Sequence, residues 1–481
     1  MSVRTAAFWS MGSQYSGFII NFAVSVIISR FFLTPAEVGL FSIALAAALL
    51  VSILQDFGIS RYVAGEAELD DAKIRVCASV SFLFAWGIAF AILALAWPLS
   101  LFYDDPRLIP LTIIIGCSYF VFPFSIVPTA LLMRDMNFKS LFVINVGSAF
   151  VAGAAALALA AAGYSSSALA WAQLLQFIFR GAMSQWLRPA PVPFPLQLKG
   201  SAPVLKFGRS ASALYLSGTI GGRSPDLIVG GFLTLSAVGL FSRATALASQ
   251  LRMLVSGALG GVFYPAFARL RDQGHDWGPY YIRVVAGYSV ITWAAMAGLA
   301  VAADPLVQLL YGDKWIEAAA ALKWIAIGEM CVVALPLHMD LPILKGQINR
   351  LIKYNVMDTV ASVGFLILFA GWGLEWAAAS RLAYGIVWIC IYARLMHNIV
   401  GFSWPALLSV YAKSMAATVA AITPMLMAYH LWRAPIDLGF TGLLLTTGAG
   451  MLLWLGTVYL VRHPMRDEIT DIVKGLLSRR P

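Results

Sequence analysis

Apolar segments follow one another along the whole chain, separated by short polar turns. A hydrocarbon core of about 30 Å requires roughly 20 apolar residues per helix, and only backbones that satisfy their own hydrogen bonds survive in it. At this length, the pattern predicts about 14 transmembrane helices. They are predicted over residues 8–32, 38–57, 76–102, 108–133, 140–162, 164–187, 209–233, 236–266, 283–310, 317–344, 351–371, 374–395, 408–431 and 438–461.

The distribution of Lys and Arg tests this number of spans, because a missed or invented helix would scramble the side on which later basic residues fall. Of the 33 basic residues, 24, Arg180 among them, are assigned to the side of the amino terminus, and four, Arg223, Arg243, Arg252 and Arg381, fall inside spans. The other side holds five, namely Arg30, Arg107, Lys314, Lys323 and Arg433. Since cytoplasmic loops are the basic ones, both termini are predicted to be cytoplasmic.

Composition agrees with an all-α integral membrane protein and excludes a soluble one. The chain is 60% hydrophobic and 12% charged, whereas soluble domains are about half apolar and a quarter charged. The net charge of +10 could suit a nucleic-acid-binding protein, but the basic residues flank apolar segments, so we expect no nucleic-acid partner.

The apolar run after Arg4 is too long for a signal peptide and is predicted to be the first helix.

An internal repeat divides the chain. FLTPAEVGLFS at residues 32–42 recurs as FLTLSAVGLFS at residues 232–242, with three of eleven residues exchanged at an offset of 200. PLSLFYDD at 98–105 similarly resembles PLVQLLYGD at 305–313. Chance, or a shared helix-turn motif, is the alternative explanation. Six helices separate equivalent positions, and an even number preserves orientation, so we predict two parallel six-helix repeats plus two C-terminal helices.

This repeat sets the predicted domain organisation. We expect an N-terminal six-helix bundle over residues 1–188, a Pro-rich cytoplasmic linker over 189–208 and a C-terminal six-helix bundle over 209–400. Helices 13 and 14 occupy 401–461, and 462–481 form a cytoplasmic amphipathic tail. Apolar residues at helical spacing in this tail suit a helix lying on the membrane surface or, equally, a short cap packing on the cytoplasmic loops.

Several motifs occur in a characteristic order. RFFLTPAEVGLFS follows helix 1 from Arg30, Asp56, Phe57 and Gly58 close helix 2, and FYDDPRL follows helix 3. ALLMRDMNFKSL ends helix 4, RSPDLIVGGFL lies in helix 7 and VGLFSRATAL in helix 8. In this order they resemble the oligosaccharide flippases of the polysaccharide biosynthesis (Wzx-type) family, in the multidrug/oligosaccharidyl-lipid/polysaccharide exporter superfamily. The resemblance runs from about residue 20 to residue 350.

The resemblance implies a function that hydropathy and the repeat do not show. Members of this family move polyprenyl-diphosphate-linked oligosaccharide units, as for O-antigen, exopolysaccharide or capsule, from the cytoplasmic to the periplasmic leaflet of the bacterial inner membrane. The alternatives are a cation-coupled multidrug-type small-molecule exporter and a membrane polysaccharide polymerase or ligase. Short loops on the extracytoplasmic side argue against the enzyme, and intramembrane arginines argue against the multidrug exporter.

Ionisable residues inside the predicted spans are candidate site residues, because charges in a bilayer are costly and face a cavity or a partner. A diphosphate-linked lipid calls for a cationic cavity, since Arg matches phosphate oxygens with a rigid fork of donors. The candidate substrate-binding residues are Arg223, Arg243, Arg252 and Arg381. Arg381 could instead extend to the membrane surface, and Arg223 could form a structural pair with Asp226, three residues along helix 7.

Carboxylates in or near the spans are candidates for binding a coupling proton or sodium ion. They are Asp56, Asp226, Glu329, Asp340 and Asp358. Of these, Asp226, Asp340 and Asp358 are the residues we assign to ion coupling or pairing, whereas Asp56 is expected to cap the turn after helix 2.

No cofactor is predicted. The five histidines, at positions 275, 338, 397, 430 and 463, lack the spacing of metal ligands, and no phosphate-binding loop of an ATPase is present in the sequence. We therefore expect a transporter and not an enzyme. Its expected partners are the lipid-linked oligosaccharide, membrane lipids and a polysaccharide polymerase or assembly complex.

Overall fold

A computed structural model describes residues 3–55, 57–66, 68–431, 434 and 438–477 of the chain. Throughout these residues the regular elements are helices. Asp56, Arg433, Arg479 and Arg480 lie outside the described residues, as do the side chains of Arg4, Arg209 and residues 472–477. The predicted capping role of Asp56 therefore stays a prediction.

Among the described residues, nine α-helices lie wholly within the first compact unit, Met1–Gly239. They are α1 (Val3–Ile27), α2 (Pro35–Val51), α3 (Ile59–Gly65), α4 (Asp71–Phe102), α5 (Leu108–Val121), α6 (Pro123–Arg134), α7 (Phe138–Ala161), α8 (Ser167–Leu187) and α9 (Ala202–Phe232). After Ile27, α1 continues as a π-helical turn over Ile28–Phe32.

The second compact unit is Leu240–Pro481, and the division falls early in α10. The helices from this point are α10 (Leu235–Asp272), α11 (Gly278–Val301), α12 (Ala303–Tyr311), α13 (Ala318–Val332), α14 (Asp340–Leu344), α15 (Ile348–Ala370), α16 (Leu374–Val400), α17 (Trp404–Leu431), α18 (Gly439–Leu460) and α19 (Arg466–Leu477).

Length and composition identify eight membrane-spanning helices among the described residues, or nine if α5 and α6, bent by 46° at Phe122, form one span. The eight are α1 with its π-helical turn, α4, α7, α11, α15, α16, α17 and α18. This is fewer than the fourteen predicted spans, which also include the segments of α2, α8, α9, α10 and α13. Of these, α2 and α13 are short, with 17 and 15 residues, and α8, α9 and α10 carry arginines within their helices. The chain is thus an all-helical, multi-pass membrane protein.

The Pro-rich stretch predicted as a linker forms no helix over residues 188–201, because proline lacks the backbone donor that a helix needs. It nevertheless packs on α4 within the first unit. The Phe194 ring lies 5.7 Å from the rings of both Phe82 and Trp86, and the Gln197 amide donates to Ser79 Oγ at 2.9 Å. Helix α9, which follows this stretch, also belongs to the first unit.

The C-terminal tail is attached to the second unit through His463. This imidazole is 1% exposed and lies 3.1 Å from the Ser414 hydroxyl, which in turn lies 2.8 Å from that of Ser289. Burial, with Lys413 nearby, lowers the pKa of His463 to about 4. Ile469 of α19 packs on the core formed by α11, α17 and α18, so the first turn of the predicted tail helix contacts protein.

Candidate functional site

The two copies of the repeated sequence begin their helices in the same way. Thr34 caps α2: the Glu37 amide donates to Thr34 Oγ1 at 3.4 Å and the Thr34 amide donates to Glu37 Oε2 at 2.7 Å. At the equivalent position, Thr234 caps α10 by accepting from the Ala237 amide at 3.2 Å. Such caps satisfy amides that have no partner inside the helix. The threonine shared by the two copies thus has one structural role in both.

The same two segments touch each other through their glycines. A Cβ atom on Gly39 would lie 1.9 Å from the carbonyl oxygen of Leu235, and one on Gly239 would lie 1.9 Å from that of Pro35. Positions 35 and 235, like 39 and 239, are equivalent at the offset of 200. The contact is therefore reciprocal, as in a twofold-symmetric interface.

Arg223 and Asp226 share one face of α9, in the first unit. The Arg223 side chain is exposed and Asp226 is partly buried. Among the described residues, they form no ion pair within 4.0 Å. Next to them, the Tyr103 hydroxyl donates to the carbonyl oxygen of Leu227 at 2.8 Å and lies within the electrostatic reach of Asp226. In the described part of the chain, Arg223 and Asp226 thus form no direct ion pair.

The FYDDPRL motif forms a fixed turn between α4 and α5. Arg107 Nη2 lies 2.6 Å from Asp105 Oδ2, and the Arg107 amide also donates to Asp105 Oδ1 at 2.9 Å. The hydrogen bond from the Arg107 side chain holds the pKa of Asp105 below its usual range. Arg107 and Asp105 thus bind each other within the loop and stabilise its turn.

Arg243 of α10 lies against buried aromatic side chains in the second unit. Its Cζ atom is 6.0 Å from the centroid of the Trp315 ring, which is 0% exposed. Tyr311, whose ring lies 5.9 Å from that of Trp315, belongs to the second loop copy, PLVQLLYGD. The guanidinium over the ring is a cation–π arrangement, so Arg243 already has a structural contact.

Arg252, also on α10, pairs with a carboxylate of α13. Its Nε atom is 2.9 Å from Glu329 Oε2, and the side chains are 41% and 13% exposed. Nine residues separate Arg252 from Arg243, which places the two arginines on opposite faces of α10. The structure therefore does not bring the two arginines of α10 into one site.

Helix α13 also contacts α16 at the level of Arg381. A Cβ on Gly328 would lie 2.8 Å from the backbone carbonyl of Arg381, and one on Gly385 would lie 2.9 Å from the carbonyl oxygen of Gly328. Only glycine permits such a close approach of two helix backbones. Glu329 follows Gly328 directly, so the Arg252–Glu329 pair and Arg381 lie on helices that touch.

Three polar contacts connect α15 to α16 in the second unit. Arg381 Nη1 donates to Ser362 Oγ at 3.0 Å, the Tyr384 hydroxyl to Asp358 Oδ1 at 2.7 Å and the Tyr392 hydroxyl to Asn355 Oδ1 at 2.7 Å. The three residues of α15 are three and four positions apart, and the three residues of α16 are three and eight positions apart. Each set therefore lies on one face of its helix. Arg381 and Asp358 thus belong to one polar ladder between α15 and α16.

We expect Tyr384→Phe to lower the stability of the protein. The change removes the hydroxyl that donates to Asp358 Oδ1 at 2.7 Å and leaves the partly buried carboxyl with the Tyr392 hydroxyl as its remaining donor. An unsatisfied buried acceptor costs about 1–3 kcal/mol. Tyr354→Phe, on the same helix pair, is the control, because no hydroxyl hydrogen bond of Tyr354 is found in the described part of the chain. Thermal unfolding in detergent should show a lower midpoint for the first variant only; equal midpoints would contradict the ladder.

A non-helical break separates α13 from α14, inside the predicted span 317–344. The Tyr411 hydroxyl donates to the carbonyl oxygen of Ala334 at 2.7 Å, and that of Tyr281 donates to Pro336 at 3.1 Å. Irregular backbone at membrane depth persists only where protein or a cavity satisfies it. Asp340, partly buried, begins α14 directly after this break.

Sequence reasoning missed two features of these helices. The pairing of Arg252 with Glu329 joins residues far apart in sequence and leaves no local signal. Arg180, counted with the basic residues on the side of the amino terminus, lies inside α8, which continues for about two turns beyond it to Leu187. The polar face of α8 was a usable signal for its location.

Comparisons with known proteins give one consistent result. Residues 27–320 match the family described as "Polysaccharide biosynthesis protein". The succinoglycan biosynthesis transport protein ExoT of Rhizobium meliloti is 22% identical over 98% of this chain and 95% of its own length. The lipopolysaccharide biosynthesis protein WzxC of Escherichia coli is 21% identical over 76% of this chain and 74% of its own length.

Solved structures share the fold. The lipid II flippase MurJ in an inward closed conformation superimposes with a TM-score of 0.71 at 14% identity, covering 96% of this chain and 100% of its own. An inward-facing multidrug resistance MATE transporter superimposes with a TM-score of 0.55 at 15% identity, covering 80% of this chain and 96% of its own. At these identities the structural likeness establishes the fold alone.

Proposed function

The chain belongs to the polysaccharide biosynthesis protein family, and from this membership we propose that it is a flippase for polyprenyl-diphosphate-linked oligosaccharide. The saccharide unit, as for O-antigen, exopolysaccharide or capsule, moves from the cytoplasmic to the periplasmic leaflet of the bacterial inner membrane. The relatives named for succinoglycan transport and lipopolysaccharide biosynthesis support this cargo class.

The arginines on α9, α10 and α16 carry the proposal. A diphosphate linker is anionic, and guanidinium groups offer paired donors to its oxygens. Arg223 contributes an exposed cation that forms no ion pair within 4.0 Å in the described part of the chain. Arg243, Arg252 and Arg381 supply further positive charge in the second unit, each beside a group that fixes its position.

We further propose fourteen crossings, arranged as two parallel repeats plus two C-terminal helices. The recurrence of residues 32–42 at residues 232–242 supports two repeats in the same orientation. Residues 1–188 and 209–400 would be these repeats, 189–208 their connection, 401–461 the last two helices and 462–481 a cytoplasmic tail, with both termini cytoplasmic. Rocking of two such bundles gives alternating access to a site between leaflets.

Carboxylates inside the predicted spans are proposed to couple transfer to an ion. Asp226 lies beside Arg223, Asp340 beside the helix break and Asp358 in the α15–α16 ladder. Burial favours the protonated form of a carboxyl, so each can exchange a proton or bind sodium as its surroundings change. A polysaccharide polymerase or assembly complex is the proposed protein partner, because the flipped saccharide unit is its substrate.

Reconstitution tests the proposed function. Purified protein in liposomes should transfer a fluorescent polyprenyl-diphosphate oligosaccharide between leaflets, and Arg223→Glu should abolish transfer, because it places a negative charge where the diphosphate binds. Leaflet transfer is scored by quenching of the fluorophore from outside. Arg271→Glu is the control, since Arg271 is exposed beside Asp272 at the end of α10.

Two results would overturn the proposal. No transfer of any polyprenyl-diphosphate saccharide, together with export of cationic drugs, would establish the multidrug alternative that the MATE fold likeness keeps open. Normal transfer by Arg223→Glu at equal protein levels would remove Arg223 from the site.

A further inference from the structure

Helix α8 has two chemically different faces. Its exposed residues recur at three- and four-residue spacing, at positions 171, 175, 178, 182 and 186, and all but Ala182 are large and apolar: Trp171, Leu175, Ile178 and Trp186. On the opposite side lie Gln173, Gln176, Arg180 and Ser184. In a membrane protein the apolar exposed face suits lipid, so the polar face points into the first unit, towards α5, α6 and α7.

Arg180 and Ser184 lie one helical turn apart on this inner face, and both carry buried polar atoms without partners. Within the described residues, Arg180 Nε and Ser184 Oγ have no hydrogen-bond partner, and Ser184 is 0% exposed. In the described part of the chain, Arg180 forms no ion pair within 4.0 Å. Arg188, eight residues further along and directly after the end of α8, does have a partner, Asp135 Oδ2 at 3.0 Å.

A guanidinium in this position is expensive for the protein unless something compensates it. Buried polar groups are as a rule hydrogen-bonded, and buried charges are paired. Arginine stays charged, so it does not escape the penalty by losing a proton. Arg180 Nε and Ser184 Oγ can both donate to one acceptor, and an acceptor that carries negative charge would compensate the guanidinium.

We propose that Arg180 and Ser184 form an anion subsite for the phosphate group of a lipid. Phosphate oxygens accept from both side chains, the guanidinium with its fork of donors and the hydroxyl with its single proton. The lipid is either the polyprenyl diphosphate of the cargo, a reading that rests on the proposed function, or an anionic phospholipid of the bilayer. In both cases the subsite lies in the first unit and is additional to the arginines on α9, α10 and α16.

Binding measurements with the purified full-length protein in detergent test this subsite. The probes are a fluorescent polyprenyl-diphosphate oligosaccharide, the corresponding uncharged polyprenyl-linked saccharide and fluorescent phosphatidylglycerol. Arg180→Gln should weaken binding of at least one anionic probe by about 10- to 100-fold, the loss expected for charge-assisted hydrogen bonds. Binding of the uncharged probe should not change. Arg188→Gln, which changes the arginine directly after α8 that has its own partner, should leave all three affinities within about twofold.

Each outcome decides the question. Loss confined to the diphosphate probe assigns the subsite to the cargo, and loss confined to phosphatidylglycerol assigns it to bilayer lipid. Unchanged binding of both anionic probes by folded Arg180→Gln would overturn the proposal. Should that variant not fold, Arg180→Lys keeps the charge and removes the fork, and unchanged affinity for both probes would again overturn it. If the wild-type protein binds no diphosphate probe, the proposed function fails while the phosphatidylglycerol measurement still judges the subsite.

Discussion

Charge reversal by Arg252→Glu is expected to reduce leaflet transfer of the lipid-linked saccharide by about 100-fold or more, corresponding to about 3 kcal/mol at about 1.4 kcal/mol per factor of ten. The change acts twice. It places a negative charge beside Glu329, 2.9 Å from the present guanidinium, and it removes a cation that we propose binds the diphosphate. The first effect lowers stability and the second lowers transfer, so thermal unfolding must be measured together with transfer in liposomes.

Exchanging the two charges separates these effects. The double variant Arg252→Glu/Glu329→Arg restores an ion pair between α10 and α13 and should recover most of the lost stability, because breaking a partly buried pair is costlier than replacing it. Transfer should stay at least tenfold below wild type, since the cation has moved to another helix. Full recovery of transfer in the exchanged protein would assign Arg252 a purely structural role.

The helices themselves could be predicted from the sequence. Apolar length, the Pro-rich stretch and the capping residues act locally, and the structure places helices over the predicted segments, with Thr34 capping α2 and no helix over residues 188–201. Local signals also identify the repeated motif. The family prediction is confirmed by the match over residues 27–320.

Partners of the intramembrane charges could not be predicted, because they are set by packing between distant segments. Nothing near Arg252 in sequence indicates Glu329, and the ladder from Asn355, Asp358 and Ser362 to α16 depends on how α15 and α16 pack. The non-helical break before Asp340 could not be predicted either, because its residues are apolar enough to continue a membrane span. Arg180 shows the opposite case: the polar face of α8 was present in the sequence, but charge counting alone assigned the residue to the side of the amino terminus.

The contact between the two repeated segments predicts a large loss of stability when either of its glycines is replaced. Gly39→Ala and Gly239→Ala are each expected to destabilise the protein by about 3 kcal/mol or more, at the upper end for overpacking. The added methyl would lie 1.9 Å from a backbone carbonyl oxygen, of Leu235 or of Pro35, and backbone cannot move aside as a flexible side chain can. Gly87→Ala in α4 is the control, because nothing lies within 4 Å of the new Cβ there and alanine favours a helix interior by about 1 kcal/mol.

Reciprocity of the contact makes a sharper prediction for the double variant Gly39→Ala/Gly239→Ala. Once one methyl has pushed the start of α10 away from α2, the space for the second already exists, so the double variant should lose clearly less stability than the sum of the two single losses. Thermal unfolding in detergent measures all three variants against wild type. Additive losses would mean that the two glycines act in separate contacts. Losses that are equal and less than additive would show that one symmetric contact makes both copies of the motif keep their glycine.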